Sequence, residues 1–449
     1  MRSPRTRSDR APLRAIARGV SALDSETYRQ FLAASFAGSL GGWVLGTAQG
    51  WLVLDLTGSS AALGLTSAAG WLPFLLVSPL AGVLADRWDA NRLIVSTRLA
   101  VAGCGVALAA LVTTGAVELW HVVGIALIAG CAYALAAPAM QAMVGSLVRS
   151  TEIGAAIALN SAQFNLARVV GPAIAGVALA AAGTTLAYWL AAACALTALG
   201  AFARMPIARR HRASAGPMLE SLREGAIWLR ARPDLLTLVL LTAAPALLVL
   251  NYGVLLPVFA RDQLAVGAAG LGALAAAAGI GAFAGALLVA IGHPGGGSGT
   301  LMLGALAAMS AAVLVFSVSS WFAVSLIALA IAGGAQVVYY TTANALLQVQ
   351  VPPGVLGRVL SLYAVVSQGL IPIGNLMVGR AADLSSASTA LAATALLCLG
   401  VTATVAWLAP GVRSLRGRPG DGDPSSPAAE PAPAPAIPNE PPCEPEVSP

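Results

Sequence analysis

The chain has 449 residues, 58% of them hydrophobic and only 10% charged, and its mean hydropathy is +0.81. A soluble body carries roughly 25% charged residues, so a water-soluble multidomain protein is excluded, as are a disordered chain, a coiled coil and a collagen. All 25 basic residues are arginine, and they sit in separate segments, so the net charge of +6 does not point to a nucleic-acid partner. Cys104, Cys131, Cys194 and Cys398 lie in apolar runs and Cys443 in a polar tail. Their spacing implies neither a metal site nor a disulfide framework.

In chain order, residues 1–30 are a basic, polar segment. Twelve apolar runs long enough to cross a bilayer as helices follow. They lie near 31–54, 66–85, 93–115, 119–141, 156–182, 185–203, 235–259, 268–291, 300–319, 321–344, 357–379 and 388–409. The runs are rich in Ala and Leu and lack strand-like alternation, so the expected fold class is an all-α polytopic membrane protein. The first run is too long for the apolar region of a signal peptide and reads as a retained span. With the N-terminus in the cytoplasm, 21 of the 25 arginines fall on the inner side. Arg261 and Arg380 fall outside, each near an acid (Asp262, Asp383), and Arg98 and Arg168 lie within spans. This bias predicts twelve spans with both termini cytoplasmic, in a bacterial inner membrane.

Residues 204–234 divide the chain. A basic cluster (Arg209, Arg210, His211, Arg212) precedes Met218, Leu222, Ala226 and Leu229 at helical spacing, which predicts an amphipathic helix on the inner surface. The expected units are two six-helix bundles, 31–203 and 235–410, with a disordered Pro-rich cytoplasmic tail from 411 to 449. A shift of 200 residues aligns Leu147 with Leu347, Gly154 with Gly354, Ser161 with Ser361 and Pro172 with Pro372. Repeated halves around a central site are a transporter architecture.

Gly82-Val83-Leu84-Ala85-Asp86-Arg87, with Arg92, follows the second run. It resembles the cytoplasmic signature of the major facilitator superfamily. Asn160-Ser161-Ala162-Gln163-Phe164-Asn165-Leu166-Ala167-Arg168, Leu255 to Asp262, and Gly357-Arg358-Val359-Leu360-Ser361-Leu362-Tyr363 are similar to the twelve-span efflux branch that includes enterobactin exporters and macrolide-efflux proteins. The similarity runs from about residue 28 to 410. It implies two pseudo-symmetric six-helix bundles and an exporter that alternates between inward-open and outward-open states, usually driven by protons. It also implies that Asp86 meets the positive N-terminus of the eleventh span, near Gly357 and Arg358, and closes the cytoplasmic side. Gly82, Arg87 and Arg92 complete that gate. The alternative reading of these charges is plain topology at a membrane edge.

Arg168 lies four residues before Pro172, inside a Gly171–Gly176 stretch that resembles the bend motif of antiporters. An intramembrane arginine faces a cavity or a partner, or snorkels to the surface; Gln368 is its counterpart in the second half. Gly38, Gly42, Gly46 and Gly50 make a bare stripe on the first span, for close packing or a wider cavity. Many relatives carry Arg and Asp where this chain has Gly46 and Gly50, and often Arg where it has Met140. Gln49, Asn160, Gln163, Asn165, Asn251, Gln336, Asn344, Gln368 and Asn375 mark a neutral polar pathway, with Trp43, Trp51, Trp71, Tyr339 and Tyr340 as aromatic surface. Amides also hydrogen-bond between helices without lining anything. No Asp or Glu lies deep in a span, and Asp55 is the candidate for titration. Pro372 is expected to bend the eleventh span as Pro172 bends the fifth.

No phosphate-binding Gly-x-x-x-x-Gly-Lys is possible without lysine, and no His-Glu-x-x-His occurs, so no catalytic residues, metal or cofactor are expected. The expected function is export of a small amphipathic compound such as a drug, siderophore or secondary metabolite, with protons and membrane lipids as further partners and no nucleic acid. A monomer is expected. The alternative is an uncoupled facilitator, lipid flippase or sensor on the same fold.

Overall fold

The computed structural model describes residues 23–77, 90–205, 218–292 and 298–416. Among these residues there is no strand, one isolated bridge (Ser298 with Arg416) and a succession of apolar helices. Gly82, Asp86, Arg87, the basic cluster at 209–212 and the tail beyond 416 lie outside the described residues.

The first half comprises α1 (Glu26–Thr57), α2 (Ser60–Leu76), α3 (Ala90–Thr114), α4 (Leu119–Ser146) and α5 (Ile153–Arg204). The linker helix α6 (Met218–Arg230) follows. The second half holds α7 (Pro233–Gln263), α8 (Gly267–Gly292), α9 (Gly299–Val318), α10 (Phe322–Gln350), α11 (Pro353–Leu384) and α12 (Ala387–Leu408). Among the described residues ten helices are long and apolar enough to cross a membrane. One of them, α5, is two arms broken at Ala182 and Gly183. Gly183 has φ 69° and ψ −164°, a region essentially closed to side-chain-bearing residues, so the two arms can fold back on each other. The expected fifth and sixth spans are these arms. The expected second span is the seventeen-residue α2, which stops beside residues outside the description. The first helix starts at Glu26 rather than 31, because Ser25 accepts a hydrogen bond from the Tyr28 N–H and caps it. The last long helix ends at Leu408, and a short turn, Pro410–Ser414, follows.

Each half has its own apolar core. Leu52, Val53, Leu63, Leu108 and Tyr188 pack in the first, and Phe259, Phe316, Leu329, Leu346 and Leu391 in the second. Large side chains such as Val177, Leu288, Ile327 and Trp407 point outward. The pattern fits a bundle whose solvent is lipid, since an apolar surface of this extent does not occur against water. The end that carries Glu26 and α6 is the linker end; the end with the α1–α2 hairpin is the far end.

Prolines set the irregular segments. Pro245 opens a π-turn (Pro245–Val249) in α7, and Pro257 precedes another (Phe259–Gln263). Pro372 interrupts α11 at Leu370, because it has no N–H for the Gln368 carbonyl. Pro172 likewise leaves the Arg168 carbonyl without its helical donor, and α8 packs there: a Cβ on Gly279 would lie 2.9 Å from that oxygen. Replacing Gly183 with Ala forces a side chain into a disallowed backbone region. The expected cost is about 1–3 kcal/mol, read as a lowered midpoint of thermal unfolding in detergent.

Candidate functional site: a polar centre and a charged latch between the halves

Arg168 stands where the halves meet. Its Nη2 donates to Oε1 of Gln336 on α10 at 3.1 Å, and its Cζ lies 5.8 Å from the Trp43 ring centroid on α1. Tyr252, placed by the π-turn in α7, interacts with the same guanidinium. Four helices, two from each half, thus converge on one charge. The guanidinium turns to partners on the opposite half. Gln368, its counterpart in the repeat, is exposed and takes no part in this contact. The amide that meets Arg168 is Gln336, which the sequence placed in the neutral polar pathway. The shift compares equivalent helices and cannot say which helices face each other.

The other polar candidates fall into separate groups. Asn160, Gln163 and Asn165 bond along their own helix: Gln163 Nε2 donates to Asn160 Oδ1 at 3.2 Å and Asn165 Nδ2 to the Ser161 carbonyl at 2.9 Å. They lie on the first arm of α5 between the linker end and Arg168, partly exposed, as does Phe164. Gln163 Oε1 is buried without a protein partner. Asn251 is fully buried in α7; its Nδ2 donates to the Leu247 carbonyl at 2.7 Å, and its Oδ1 has no protein partner. Gln49 is half-buried on α1. Asn375 Nδ2 donates to Ser67 Oγ on α2 at 2.9 Å, across the halves.

The glycine stripe has no single role. A Cβ at Gly38 would lie 3.0 Å from Arg98 Nη1, one at Gly42 3.3 Å from the Tyr133 hydroxyl, and one at Gly50 3.0 Å from Pro257, while Gly46 faces open space. Gly171 and Gly176 do pack tightly. The first sits against Trp43 and the second against Gly272 of α8.

At the far end, two charges of the second half close over the α1–α2 hairpin. Asp383, at the end of α11, accepts from Ser59 Oγ at 2.6 Å, from Ser60 N at 2.6 Å and from Ala61 N at 3.1 Å. These are the cap and the first free N–H groups of α2, where an anion is favoured. Arg261, on α7, donates from Nη1 to the Leu54 carbonyl at 3.1 Å, at the C-terminal end of α1, where a cation is favoured. It also pairs with Asp262 at 2.7 Å and feels the charge of Asp55. Asp55 is exposed in this far-end group, not in the polar centre. The seam below the latch is close: a Cβ on Gly64 would lie 2.5 Å from the Asn375 carbonyl, and one on Gly379 2.5 Å from the Ser60 carbonyl. Sequence reading took Arg261 and Asp383 as outside charges with nearby partners of opposite sign. It missed that each caps a helix of the other half, because nothing local in the chain points to a partner more than 200 residues away.

At the linker end, Arg358 Nε pairs with Glu224 Oε2 of α6 at 2.7 Å, and Gly225 lies against the Arg358 carbonyl. The start of α11, where the resemblance puts the partner of Asp86, thus carries the linker helix. Gly357 has open space beside it, and Arg92 is exposed at the start of α3.

The family described as transmembrane secretion effector, within the major facilitator superfamily, matches residues 17–425. The chain belongs to this family. It is a multi-pass membrane transporter, not an enzyme. A staphyloferrin A transporter of Staphylococcus aureus is 30% identical over 156 residues, a stretch that spans 34% of this chain and 38% of that protein. Macrolide efflux protein A of Streptococcus pyogenes is 24% identical over 77% of this chain and 87% of its own length. Among solved structures, the nucleoside transporter NupG superposes with a TM-score of 0.68 at 13% identity, covering 86% of this chain and 99% of that one. A point mutant of a POT peptide transporter, in complex with sulfate, gives 0.68 at 13% identity, over 87% and 96%. A bacterial homologue of the lysosomal transporter Spinster, inward-facing and unoccupied, gives 0.59 at 16% identity, over 86% and 95%. At these identities the structural likeness establishes the fold alone.

The Asp383 latch is exposed, so its contribution is screened to about 1 kcal/mol. Asp383→Asn keeps the shape and removes the charge. We expect up to about fivefold faster labelling, from the far side, of single cysteines placed near Gln49 in a cysteine-free background.

Proposed function

We propose that the protein exports a small amphipathic compound bearing an anionic group, by alternating access, from the bacterial cytoplasm across the inner membrane. The reading takes the linker end as cytoplasmic, both termini inside, twelve spans, and bundles 31–203 and 235–410. The observation that carries it is Arg168. A cation at mid-helix between the halves is costly, and its hydrogen-bonding partner across the seam is a neutral amide, Gln336. A substrate carboxylate, phosphate or phenolate would supply the missing charge, with Trp43 beside it for an apolar body. The exposed polar face of α5 around Asn160, Gln163 and Asn165 would form the approach from the inside.

Closure alternates in this reading. The Asp383 and Arg261 caps hold the far end shut in the arrangement described here. In the opposite state Asp86 would take the N-terminus of α11, with Gly82, Arg87, Arg92, Gly357 and Arg358 around it. Asp383 and Asp86 would then act at opposite ends of the pair formed by α11 and the second expected span. The staphyloferrin A and macrolide names of the relatives support an exported organic compound and leave its identity to experiment.

A second reading keeps the fold without proton coupling: a facilitator, lipid flippase or sensor. It is favoured by one observation. Among the described residues the buried acid is Glu152, at the start of α5 and paired with Arg149, far along the helix from Arg168. Accumulation of dyes and antibiotics in an efflux-deficient bacterial host separates the two. Export that lowers accumulation and is reversed by a protonophore supports the coupled exporter. Export indifferent to the protonophore supports the uncoupled class, and no change across anionic, neutral and cationic compounds counts against an exporter of this substrate class.

Two variants test the parts. Arg168→Met is expected to reduce export of anionic compounds tenfold or more, on the order of one charged hydrogen bond, and to affect neutral ones less. Arg168→Lys should recover part of it. Asp86→Asn is expected to slow far-side labelling near Gln49, opposite in sign to Asp383→Asn. Unchanged labelling in Asp86→Asn would remove Asp86 from the gate.

A further inference from the structure

Gly42, Gly46 and Gly50 follow one another at four-residue spacing on α1, and the outer two meet protein. A Cβ at Gly42 would lie 3.3 Å from the Tyr133 hydroxyl of α4, and one at Gly50 3.0 Å from Pro257 of α7. Between them Gly46 is exposed, and nothing beyond its own helix stands within 4 Å of where a Cβ would be. Positions four apart on a helix differ by about 40° around the axis. The direction that Gly46 faces therefore lies between those of Gly42 and Gly50. One of these points at a helix of the first half and the other at a helix of the second. The opening at Gly46 thus belongs to the seam between the halves, not to the lipid-facing surface.

The opening also borders the polar centre. Trp43, three residues before Gly46, packs on Gly171 and has its ring centroid 5.8 Å from Arg168 Cζ. Phe164 meets the Trp43 ring edge-on, with centroids 6.0 Å apart. Since α1 runs from the linker end at Glu26 toward the far end, Gly46 lies about one turn beyond Trp43 in the far-end direction. One turn further on, Gly50 touches Pro257, and past it the Arg261 bond to the Leu54 carbonyl joins the same two helices. The space at Gly46 therefore has the guanidinium and the indole on its linker side and is shut by α7 on its far side.

We propose that the space at Gly46 receives the apolar body of the exported anion, and that the missing side chain there sets the largest body the protein carries. The inference rests on the reading of Arg168 as the group that binds the anion. With its charged end at Arg168, the compound lies along α1 over the Trp43 indole and reaches toward the Gly50–Pro257 contact. From Trp43 to Gly50 is about 10 Å of helix axis, which limits the length of body that fits. Glycine weakens a helix interior, so Gly46 costs stability that no packing contact at that position returns. Room for a substrate accounts for it.

The test uses the full-length protein in inverted membrane vesicles and three aromatic carboxylates of one charge and rising size: benzoate, naphthoate and pyrenecarboxylate. We expect Gly46→Leu to lower uptake of pyrenecarboxylate at least about tenfold more than that of benzoate, with Gly46→Ala between it and the wild type. An unchanged size profile in Gly46→Leu, or an equal loss of all three compounds, overturns the size filter and leaves the reading of Arg168 standing. Absence of uptake of all three by the wild-type protein overturns that reading and the filter with it. A second measurement does not depend on transport. Gly46→Cys in a cysteine-free background is expected to react, from the linker side, with the water-soluble anionic reagent sulfonatoethyl methanethiosulfonate, as a position facing lipid would not. Failure to react overturns the placement of the opening in the seam.

Discussion

The α1–α2 hairpin is the point on which the arrangement of the halves turns. Two long helices end there within a few residues, and each end exposes backbone groups that its own helix cannot satisfy. Gly58 turns back in the left-handed region and covers part of the α1 end, and Ser59 caps α2. The remaining partners come from the second half. A carboxylate meets the positive end of one helix and a guanidinium the negative end of its neighbour. Helix ends are fixed in place by the fold, whereas the charges sit on helices of a separate bundle, so the contact can break without unfolding either half.

The seam beneath the latch depends on small residues for the same reason. Gly64 and Gly379 let α2 and α11 approach until backbone touches backbone, and Asn375 with Ser67 adds one polar contact. In lipid there is little hydrophobic gain from helix association, so close van der Waals contact and a few hydrogen bonds do most of the holding. Interfaces of that kind separate at modest cost. The two largest apolar clusters draw their buried residues from one half each, with a few side chains of the other half, such as Trp51 and Val258, packed against them.

Prolines place the polar groups of the centre. Pro172 sits four residues after Arg168, and Pro372 four after Gln368. Each removes the donor for the carbonyl of the polar residue and loosens the helix at that level. In α7 the π-turn begun by Pro245 brings Asn251 and Tyr252 inward. The result is one amide (Gln336), one phenol (Tyr252) and one indole (Trp43) around one guanidinium.

The sequence by itself determined the solvent, the class and the family. Lipid exposure follows from composition, the spans from run length, and membership from motifs such as Asn160 to Arg168. These are local or additive properties, so they survive without coordinates. It also singled out Arg168, because an arginine in an apolar run has few explanations. Only the tertiary structure decided which groups meet. Gln336 meets Arg168, Asp383 caps α2 across more than 300 residues, Glu224 holds Arg358, and Arg98 lies against α1 at Gly38. Those pairings depend on how the helices rotate and tilt against one another. A residue's number along the chain says nothing of the face it shares with a distant helix, and in a bundle whose helices are nearly all apolar, no amphipathic stripe reveals it either.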